Sequence, residues 1–303
     1  MKNILIAGGT GLVGIHLSRM LKSKGYNVMH LSRRQNKDAE FPAYAWDIQK
    51  GVVDEEAFLK ADYIINLAGS GIADKRWTAD RKKDIIESRT QSTLLLKKYL
   101  SETAHHVKAY LSASAIGFYG ERGEELVTEK SPNGKGFLGQ STGAWEKAIE
   151  EVSATGIRTV AIRIGIVLST EGGALEKMLI PFTFRTGVYF GSGDQWYSWI
   201  HIDDLCNVFV WAIENEKSKG VYNAVSPNPL SNYAFTEAIS EAKGGGYLLL
   251  PTPTFALKLA MGEMADVVLT STKVSAQKII KEGFVFQFPE AVEALKDLFE
   301  RKV

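Results

Sequence analysis

Ile4-Leu5-Ile6-Ala7-Gly8-Gly9-Thr10-Gly11-Leu12-Val13-Gly14 is an apolar strand that runs directly into glycines spaced three residues apart. In such a turn Gly8 lets the chain leave the strand sharply, Gly11 lets the main chain approach a pyrophosphate, and Gly14 lets the next helix pack closely on the sheet. The first amides of that helix, predicted over Leu12 to Lys24, then point at the anion. The alternative is an ordinary strand-turn-helix unit without a ligand. The pattern predicts a dinucleotide-binding turn whose cofactor contacts come from Gly8, Thr10, Gly11, Leu12, Val13 and Gly14.

The end of the second predicted strand, Asn27 to Leu31, indicates which nucleotide binds. NAD would need a carboxylate there to hold its ribose hydroxyls, and none is present. The chain instead continues Ser32-Arg33-Arg34, which offers one hydroxyl and two guanidinium groups to a 2′-phosphate. The sequence therefore predicts NADP(H) as the cofactor. If both arginines are ordinary solvated surface charges, the preference for NADP(H) disappears.

Composition and charge narrow the class of protein. The 303 residues are 45% hydrophobic and 23% charged, which suits one large globular domain with a smaller companion. A net charge of +1 argues against nucleic acid or an anionic membrane as a partner. Cys206 is the single cysteine, so no disulfide framework can form, as suits a reducing compartment. No run of about 18 apolar residues could span a bilayer. We therefore expect a soluble cytoplasmic protein.

Strands and helices alternate along the first half of the chain, which predicts a parallel sheet built by right-handed crossovers. Beyond Gly165 the chain is rich in glycine and aromatic residues, and its last part is mostly helical. The predicted fold is α/β, with a Rossmann-like doubly wound parallel sheet over residues 1–170, completed by residues 203–226, and a smaller, mostly helical C-terminal lobe over residues 171–303. The cleft between them is the expected substrate site. Strands are predicted at 63–67, 108–112, 157–164 and 221–225, and helices at 78–100, at 143–154 and from about 203.

Ligands of such sheets bind beyond the carboxyl ends of the strands, so the segments that follow the strands carry further expected contacts. Asp47 could accept a hydrogen bond from an adenine amino group, or it could be a solvated turn residue. Gly69 permits close approach to the nicotinamide ribose, although a loop can need a glycine for turning alone. Ser112 and Ser114 follow the next strand along the chain. We expect Asp47, Gly69 and Ser112 at the cofactor.

The helix predicted over residues 78–100 carries an arginine on its apolar side. Arg89 recurs at helical spacing with Ile85, Ser92 and Leu96. Burying an unpaired guanidinium costs several kcal/mol, so Arg89 should have an anionic partner. A cofactor phosphate or Asp84 on the same helix could supply the charge. Otherwise the side chain reaches solvent or pairs with other carboxylates.

Several motifs are spread over the whole chain: Gly8 to Gly14, Asn66-Leu67-Ala68-Gly69, Ser112-Ala113-Ser114-Ala115, Phe118-Tyr119-Gly120, Arg163-Ile164-Gly165 and Trp199-Ile200-His201-Ile202-Asp203-Asp204-Leu205. Together they resemble an extended short-chain dehydrogenase/reductase of the NAD-dependent epimerase/dehydratase group. Lys75-Arg76-Trp77, Ser88-Arg89-Thr90 and Gly191-Ser192-Gly193-Asp194-Gln195 are similar to its atypical subgroup called "epimerase family protein". Residues 247–297 resemble the subgroup's C-terminal domain of unknown function. The resemblance implies an NADP(H)-binding protein in which Ser32, Arg33, Leu67, Ala68, Asp84 and Arg89 line the cofactor, and it implies no particular reaction.

The chain departs from the wider family in its proton-transfer residues. That family uses a Ser or Thr with a Tyr-x-x-x-Lys pair, in which the Lys lowers the pKa of the Tyr. Ser114 fits the first role. Counting from Glu146, the Tyr and Lys positions fall at Leu138 and Thr142, which can act as neither acid nor base. We therefore expect a non-standard relay with Ser114 and Tyr119 as donors near the nicotinamide, the alternative for Tyr119 being a packing role.

The expected substrate is an unidentified small molecule. Gln195, Trp199 and His201 are its predicted contacts, although His201 could instead be a hydrogen-bonded structural imidazole. The histidines, His16, His30, His105, His106 and His201, show no metal-ligand spacing with carboxylates, so no metal site is expected. Relatives that dimerise through sheet-flanking helices imply a homodimer.

Two functions are compatible with these observations. In the first, the protein is an NADP(H)-dependent oxidoreductase or epimerase with a rebuilt proton relay. In the second, it keeps the nucleotide without turnover and acts as an NADPH-responsive binding or regulatory protein. Some members of the subgroup are labelled cell-division inhibitors, which is compatible with the second function.

Overall fold

An eight-stranded sheet forms the centre of the protein, whose computed structural model describes residues 1–301. Its strands are β1 (Asn3–Ala7), β2 (Asn27–Ser32), β3 (Ala43–Asp47), β4 (Val52–Val53), β5 (Tyr63–Asn66), β6 (Ala109–Ala115), β7 (Arg158–Ile164) and β8 (Gly220–Ala224). Their spatial order is β8-β7-β6-β5-β1-β2-β3-β4, and every pair is parallel except β3 with β4. The strand order reverses beside β1. The glycine turn that follows β1, residues 8–14, therefore lies at the switch point of a doubly wound sheet.

Helices cover both faces of this sheet. They are α1 (Leu12–Ser23), α2 (Glu55–Lys60), α3 (Ala79–Glu102), α4 (Gly136–Ser153), α5 (Gly173–Leu179), α6 (Ile202–Glu214), α7 (Asn232–Ala242), α8 (Thr254–Met261), α9 (Asp266–Leu269), α10 (Gln277–Lys281) and α11 (Ala291–Glu300), with short 3-10 helices at Ile116–Tyr119, Pro181–Phe184 and Gly262–Ala265. Ile4 and Ile6 of β1 pack with α1 and α6, whereas Leu5 and Ala7 pack with α2, α3 and α4. Because both faces are buried, β1 is a continuous apolar run. The predicted Rossmann-like fold is confirmed.

A second layer of structure lies beyond the sheet. The parallel pairs here are Ile166–Leu168 with Trp199–His201, Thr186–Phe190 with Leu248–Thr252, and Leu126–Val127 with Lys273–Val274, and Trp196–Tyr197 pairs antiparallel with Leu230–Ser231. Its core holds Leu175, Phe182, Trp199, Phe235 and Leu295. Helices α8 to α11 form most of the C-terminal part, as predicted. Among residues 1–301, no helix has both the length and the apolar character that crossing a bilayer requires.

Helix α4 starts earlier than the sequence predicts. The prediction began it near residue 143, whereas the helix begins at Gly136. A Cβ at Gly139 would lie 2.2 Å from the carbonyl oxygen of Gly134. The segment around Gly134 therefore packs so closely on α4 that position 139 requires glycine, although glycine has a low helical propensity.

Candidate active site

The turn after β1 has the geometry that its glycines predict. Gly8 has φ of +80°, a left-handed conformation that favours glycine. A Cβ at Gly14 would lie 2.3 Å from the carbonyl oxygen of Gly8, so α1 packs directly on the turn. A Cβ at Gly11 would meet only that oxygen, at 3.5 Å. Protein packing therefore explains Gly8 and Gly14, and it leaves open space at Gly11.

The amino end of α1 is free to meet an anion. Within the described chain no side chain caps α1, and its first turn contains no acidic residue. The first N–H groups of an α-helix lack partners inside the helix and carry partial positive charge. The turn can therefore accept a pyrophosphate as the sequence predicts.

The end of β2 presents cationic side chains to solvent. Ser32 is half-buried, and Arg33 and Arg34 are exposed. In the part of the chain that the structure describes, neither arginine forms an ion pair. Asp47 ends β3, and its Oδ1 accepts hydrogen bonds from the amides of Gln49 and Lys50, both at 3.0 Å, so that the pKa of Asp47 lies below its usual range. The carboxylate of Asp47 therefore caps its own turn.

The turn after β5 lies against the glycine turn and against α3. A Cβ at Gly8 would lie 2.7 Å from the carbonyl carbon of Leu67, and a Cβ at Gly69 would lie 3.0 Å from the Arg89 side chain. Asn66, which is fully buried, accepts a hydrogen bond from the Ala68 amide at 3.1 Å. Leu67, Ala68 and Gly69 thus form a fixed floor that joins the glycine turn to Arg89.

Arg89 has no anionic partner in the structure. Its Nη1 donates to the Ile85 carbonyl one turn earlier at 3.0 Å, and its guanidinium lies 5.2 Å from the centre of the Trp145 ring. Asp84, the alternative partner, pairs with Arg81 at 2.5 Å. Among residues 1–301, no carboxylate lies within ion-pair distance of Arg89, and burial, with Arg81 nearby, lowers the pKa of Arg89 to about 10. The structure therefore leaves a cation for a ligand beside the Leu67 to Gly69 floor.

Ser114, at the carboxyl end of β6, belongs to a buried polar network. Its Oγ donates to Glu146 Oε1 at 2.5 Å. Glu146 is clamped by Arg163, whose Nε and Nη2 donate to the two carboxylate oxygens at 2.7 and 2.6 Å. Because the single proton of Ser114 is donated to Glu146, its Oγ offers lone pairs to any neighbouring ligand. Ser112 is fully buried and donates to the Ala113 carbonyl at 2.9 Å.

Tyr119 belongs to the same network and is entirely buried. Its hydroxyl donates to Asn223 Oδ1 at 2.6 Å and accepts from Arg163 Nη1 at 2.9 Å. Burial raises the pKa of Tyr119 to about 12. These contacts argue against the predicted role of Tyr119 as a proton donor to substrate and favour the packing alternative.

A cavity of about 1000 Å³ lies between the sheet domain and the C-terminal part. Gln195, a predicted substrate contact, lines it, and its Nε2 donates to the carbonyls of Phe190 at 3.2 Å and Val268 at 3.3 Å. Phe137 and Leu138, in the first turn of α4, form part of the opposite wall. The lining residues come from segments 120–124, 132–138, 190–195 and 254–271.

The other two predicted substrate contacts lie in the protein core. Trp199 is fully buried, and its Nε1 donates to the Asn228 carbonyl at 3.1 Å. His201 is also fully buried, stacks on Phe288 at 3.9 Å between ring centres and accepts from the Asp203 amide at 3.1 Å. Burial lowers the pKa of His201 to about 4. Neither side chain lines the cavity, and the roles of Trp199 and His201 as substrate contacts stay predictions that their burial argues against.

The structure brings together one group of side chains with metal-ligand chemistry. Ligand atoms of His201, Asp203 and Asp297 lie within 4.8 Å of one another. The Arg301 guanidinium donates to both carboxylates, and its Nη2 lies 2.6 Å from Asp297 Oδ2. Both carboxylates of this group are therefore already paired with a cation of the protein.

Comparison with known proteins shows the family. Residues 4–224 match the model described as the NAD dependent epimerase/dehydratase family. The chain belongs to this family. Residues 252–298 match a domain of unknown function, DUF1731. The match confirms the resemblance that the motifs indicate, and the family's coarse property, NAD(P) binding on a Rossmann-like fold, holds for this chain.

Relatives are similar to this member of the epimerase/dehydratase family over nearly their whole length. Epimerase family protein YfhF of Bacillus subtilis is 35% identical over 98% of this chain and 97% of its own length. Epimerase family protein SDR39U1 of Mus musculus is 32% identical over 97% of this chain and 99% of its own. The crystal structure of human SDR39U1 (isoform 2) with NADPH has a TM-score of 0.88 and 29% identity, and covers 99% of this chain and 100% of its own. MoeE5 with UDP-glucuronic acid and NAD, at 16% identity and a TM-score of 0.78 over 98% of each chain, shares the fold.

The two family positions that lack acid-base chemistry lie one turn apart on α4. A Cβ at Gly117 would lie 3.5 Å from both Leu138 Cβ and Thr142 Oγ1. Leu138 faces the cavity, and Thr142 is buried. In this epimerase/dehydratase family member, an apolar side chain therefore lines the cavity at the position where the resemblance places a tyrosine.

Sequence reasoning missed the buried ion pair between Glu146 and Arg163. A signal existed, because Arg163 directly follows the apolar residues 160–162 within strand β7, and a buried charge requires a partner. Glu146 is the acidic residue of α4 that is buried. No local pattern around Glu146 indicates that its side chain is buried.

Proposed function

We propose that the protein binds NADP(H) across the carboxyl edge of β1, β2 and β5. The observation that carries this proposal is Arg89, a guanidinium with no carboxylate partner beside the floor that touches the glycine turn. An anion at this place would give Arg89 its partner and would meet the free amides of α1. The NADPH in the human SDR39U1 crystal structure supports the same assignment. The residues present therefore fit the cofactor.

The preference for NADP(H) over NAD(H) is assigned to Arg33 at the end of β2. A charge-assisted hydrogen bond of about 1.5 to 3 kcal/mol to the 2′-phosphate gives roughly a 10- to 100-fold preference. Arg33→Ala is expected to erase this preference, while Lys24→Ala, an exposed cation at the far end of α1, leaves it unchanged. Intrinsic tryptophan fluorescence titrated with NADPH and NADH measures both affinities. An Arg33→Ala protein that keeps the wild-type ratio would contradict the assignment.

We further propose that the protein is an oxidoreductase or epimerase acting on a small molecule in the 1000 Å³ cavity. When bound, the nicotinamide supplies hydride transfer, and this chain must handle the accompanying proton. Ser114 is 2% exposed and does not line the cavity, so this relay requires that a bound substrate reach beyond the cavity wall to Ser114. Ser114 would then take a proton from a substrate hydroxyl while it passes its own to Glu146, which becomes a neutral carboxylic acid. Both carboxylate oxygens of Glu146 already accept hydrogen bonds from Arg163, so a proton passed to Glu146 competes with these hydrogen bonds and we expect slow turnover.

A second function is favoured by a specific observation. Leu138 and Thr142 cannot transfer protons, and the hydroxyl of Tyr119 is bonded to protein groups. A protein that lost turnover while keeping the nucleotide would have this arrangement. It would act as an NADPH-responsive binding protein for a cellular partner, with the cavity closed or opened by the cofactor.

A turnover panel separates the two functions. The wild-type protein is mixed with NADPH and with carbonyl compounds or nucleotide sugars, and the consumption of NADPH is measured. Compounds that are turned over are then tested with two variants, Ser114→Ala and Ser141→Ala. Ser141 is the control because it is a buried serine that donates to the Leu138 carbonyl inside α4. Loss of the proton relay is expected to lower kcat by about 100-fold in Ser114→Ala only. If Ser114→Ala keeps the wild-type kcat, the proposed proton relay is wrong. Tight NADPH binding without any consumption, together with a cofactor-dependent affinity for a partner, would favour the second function.

A further inference from the structure

The segment 70–78, which we call the strap, leaves the Leu67 to Gly69 floor and enters α3. Its start is fixed to α3, because the Ser70 amide donates to Ser88 Oγ at 3.0 Å and Arg81 donates to the Gly71 carbonyl. Its middle is a closed turn, in which Trp77 Nε1 donates to the Ile72 carbonyl at 2.8 Å. The strap is therefore an ordered piece of chain that begins directly at the proposed cofactor floor.

The C-terminal domain holds the strap through one arginine. The Arg76 guanidinium donates to the Leu259 carbonyl at 2.6 Å and to the Ala260 carbonyl at 2.8 and 3.1 Å. These carbonyls belong to the last turn of α8, where unpaired acceptors and the helix dipole favour a cation. Just beyond the strap, Lys82 forms an ion pair with Glu263. Both contacts join the sheet domain to the domain of unknown function.

The strap also contacts the two other walls of the cleft. Trp77 packs edge-on against Phe137, with 4.6 Å between ring centres, and Phe137 lines the 1000 Å³ cavity. Lys177 of α5 donates to the Ala73 carbonyl at 3.5 Å. Helix α5 in turn lies against the cofactor turn, since a Cβ at Gly173 would be 3.3 Å from the Leu12 side chain. The glycine turn contacts α5, α5 contacts the strap, and the strap continues from the Leu67 to Gly69 floor, which itself touches the glycine turn. These four segments therefore form a closed ring around the proposed nucleotide site.

We propose that the C-terminal domain is a cofactor-retention clasp, which keeps the strap closed over the nucleotide through Arg76 and the end of α8. This inference rests on the proposed NADP(H) binding. Cofactor exchange then requires release of the strap, so the contacts of Arg76 set the rate at which the nucleotide leaves. Lid opening commonly limits ligand release in this way.

Stopped-flow measurement of NADPH release tests the clasp. Full-length Arg76→Ala is expected to release NADPH about 10-fold faster than wild type, with an association rate constant that is unchanged or higher. Arg76→Lys keeps a cation at the end of α8 and should give an intermediate rate. Lys75→Ala removes the neighbouring charge and is the matched control, because Lys75 is exposed and makes no hydrogen bond or ion pair with any residue from 1 to 301.

The outcomes separate the clasp from the function on which it rests. If wild type binds NADPH and Arg76→Ala releases it at the same rate as Lys75→Ala, the clasp is wrong while the cofactor assignment stands. If wild type itself fails to bind NADPH, the proposed function falls and the clasp falls with it. Faster release accompanied by a lowered melting temperature of the cofactor-free protein would mean general destabilisation and would also count against the clasp.

Discussion

Arg89→Met is expected to weaken NADPH binding by about 10- to 100-fold without lowering the free energy of unfolding of the cofactor-free protein. The first effect follows because the Arg89 guanidinium supplies a charge-assisted hydrogen bond that water cannot replace in the closed site. The second follows because Arg89 bonds only a carbonyl of its own helix and is desolvated enough to lower its pKa to about 10. Methionine keeps the apolar stem against Trp145 and removes a charge without a carboxylate partner.

Fluorescence titration and urea unfolding measure the two effects on the same preparations. Lys83→Met is the control, since Lys83 lies on the same helix, is exposed and, among residues 1–301, forms an ion pair only with Glu87, at 3.8 Å. It should leave both quantities unchanged. A substantial loss of stability in Arg89→Met would show that Arg89 is a structural residue whose charge the protein itself satisfies.

Arg163→Met is expected to lower the free energy of unfolding by about 3 to 5 kcal/mol. Arg163 and Glu146 bury their side chains almost completely, at 3% and 8% exposed, and the pair is bidentate. Removing the guanidinium leaves a buried carboxylate without its counter-charge. The Tyr119 hydroxyl also loses the hydrogen bond that Arg163 donates to it. The cost therefore arises from the groups left behind more than from the contacts removed.

Urea unfolding of the single and double variants checks this explanation. Glu146→Leu combined with Arg163→Met removes both charges, and it should recover most of the stability that Arg163→Met alone loses. Arg19→Met changes an exposed arginine and should alter stability by less than about 0.5 kcal/mol. If the double variant loses as much free energy of unfolding as the two single variants lose together, the unpaired buried charge does not cause the instability of Arg163→Met.

The sequence predicts the fold well where one local pattern has one structural solution. The Gly8 to Gly14 turn is such a case, because only glycine satisfies its φ angle and its close helix contact. Element boundaries follow less well, as α4 shows. Its first glycines are typical of a loop, and the reason for Gly139 is a contact with Gly134 that exists only after folding.

The candidate site is predicted in part. Ser114 and Gln195 lie where the order of strands and loops places them. Trp199 and His201 carry the side-chain chemistry of a substrate site, but burial decides their role, and burial depends on how α11 and the segment around Phe288 fold over them. The contacts that argue against Tyr119 as a proton donor could not be predicted for the same reason, since its partners Arg163 and Asn223 are distant in sequence.

The walls of the cavity come from segments that are synthesised far apart in time. The glycine turn and its floor are complete within residues 1–89, whereas the cavity also needs residues 254–271, and Ser271 and Thr272 are bonded to Glu121 and Gly120. On the ribosome, the segments that line the cavity can therefore meet only after the last of them, residues 254–271, has been synthesised.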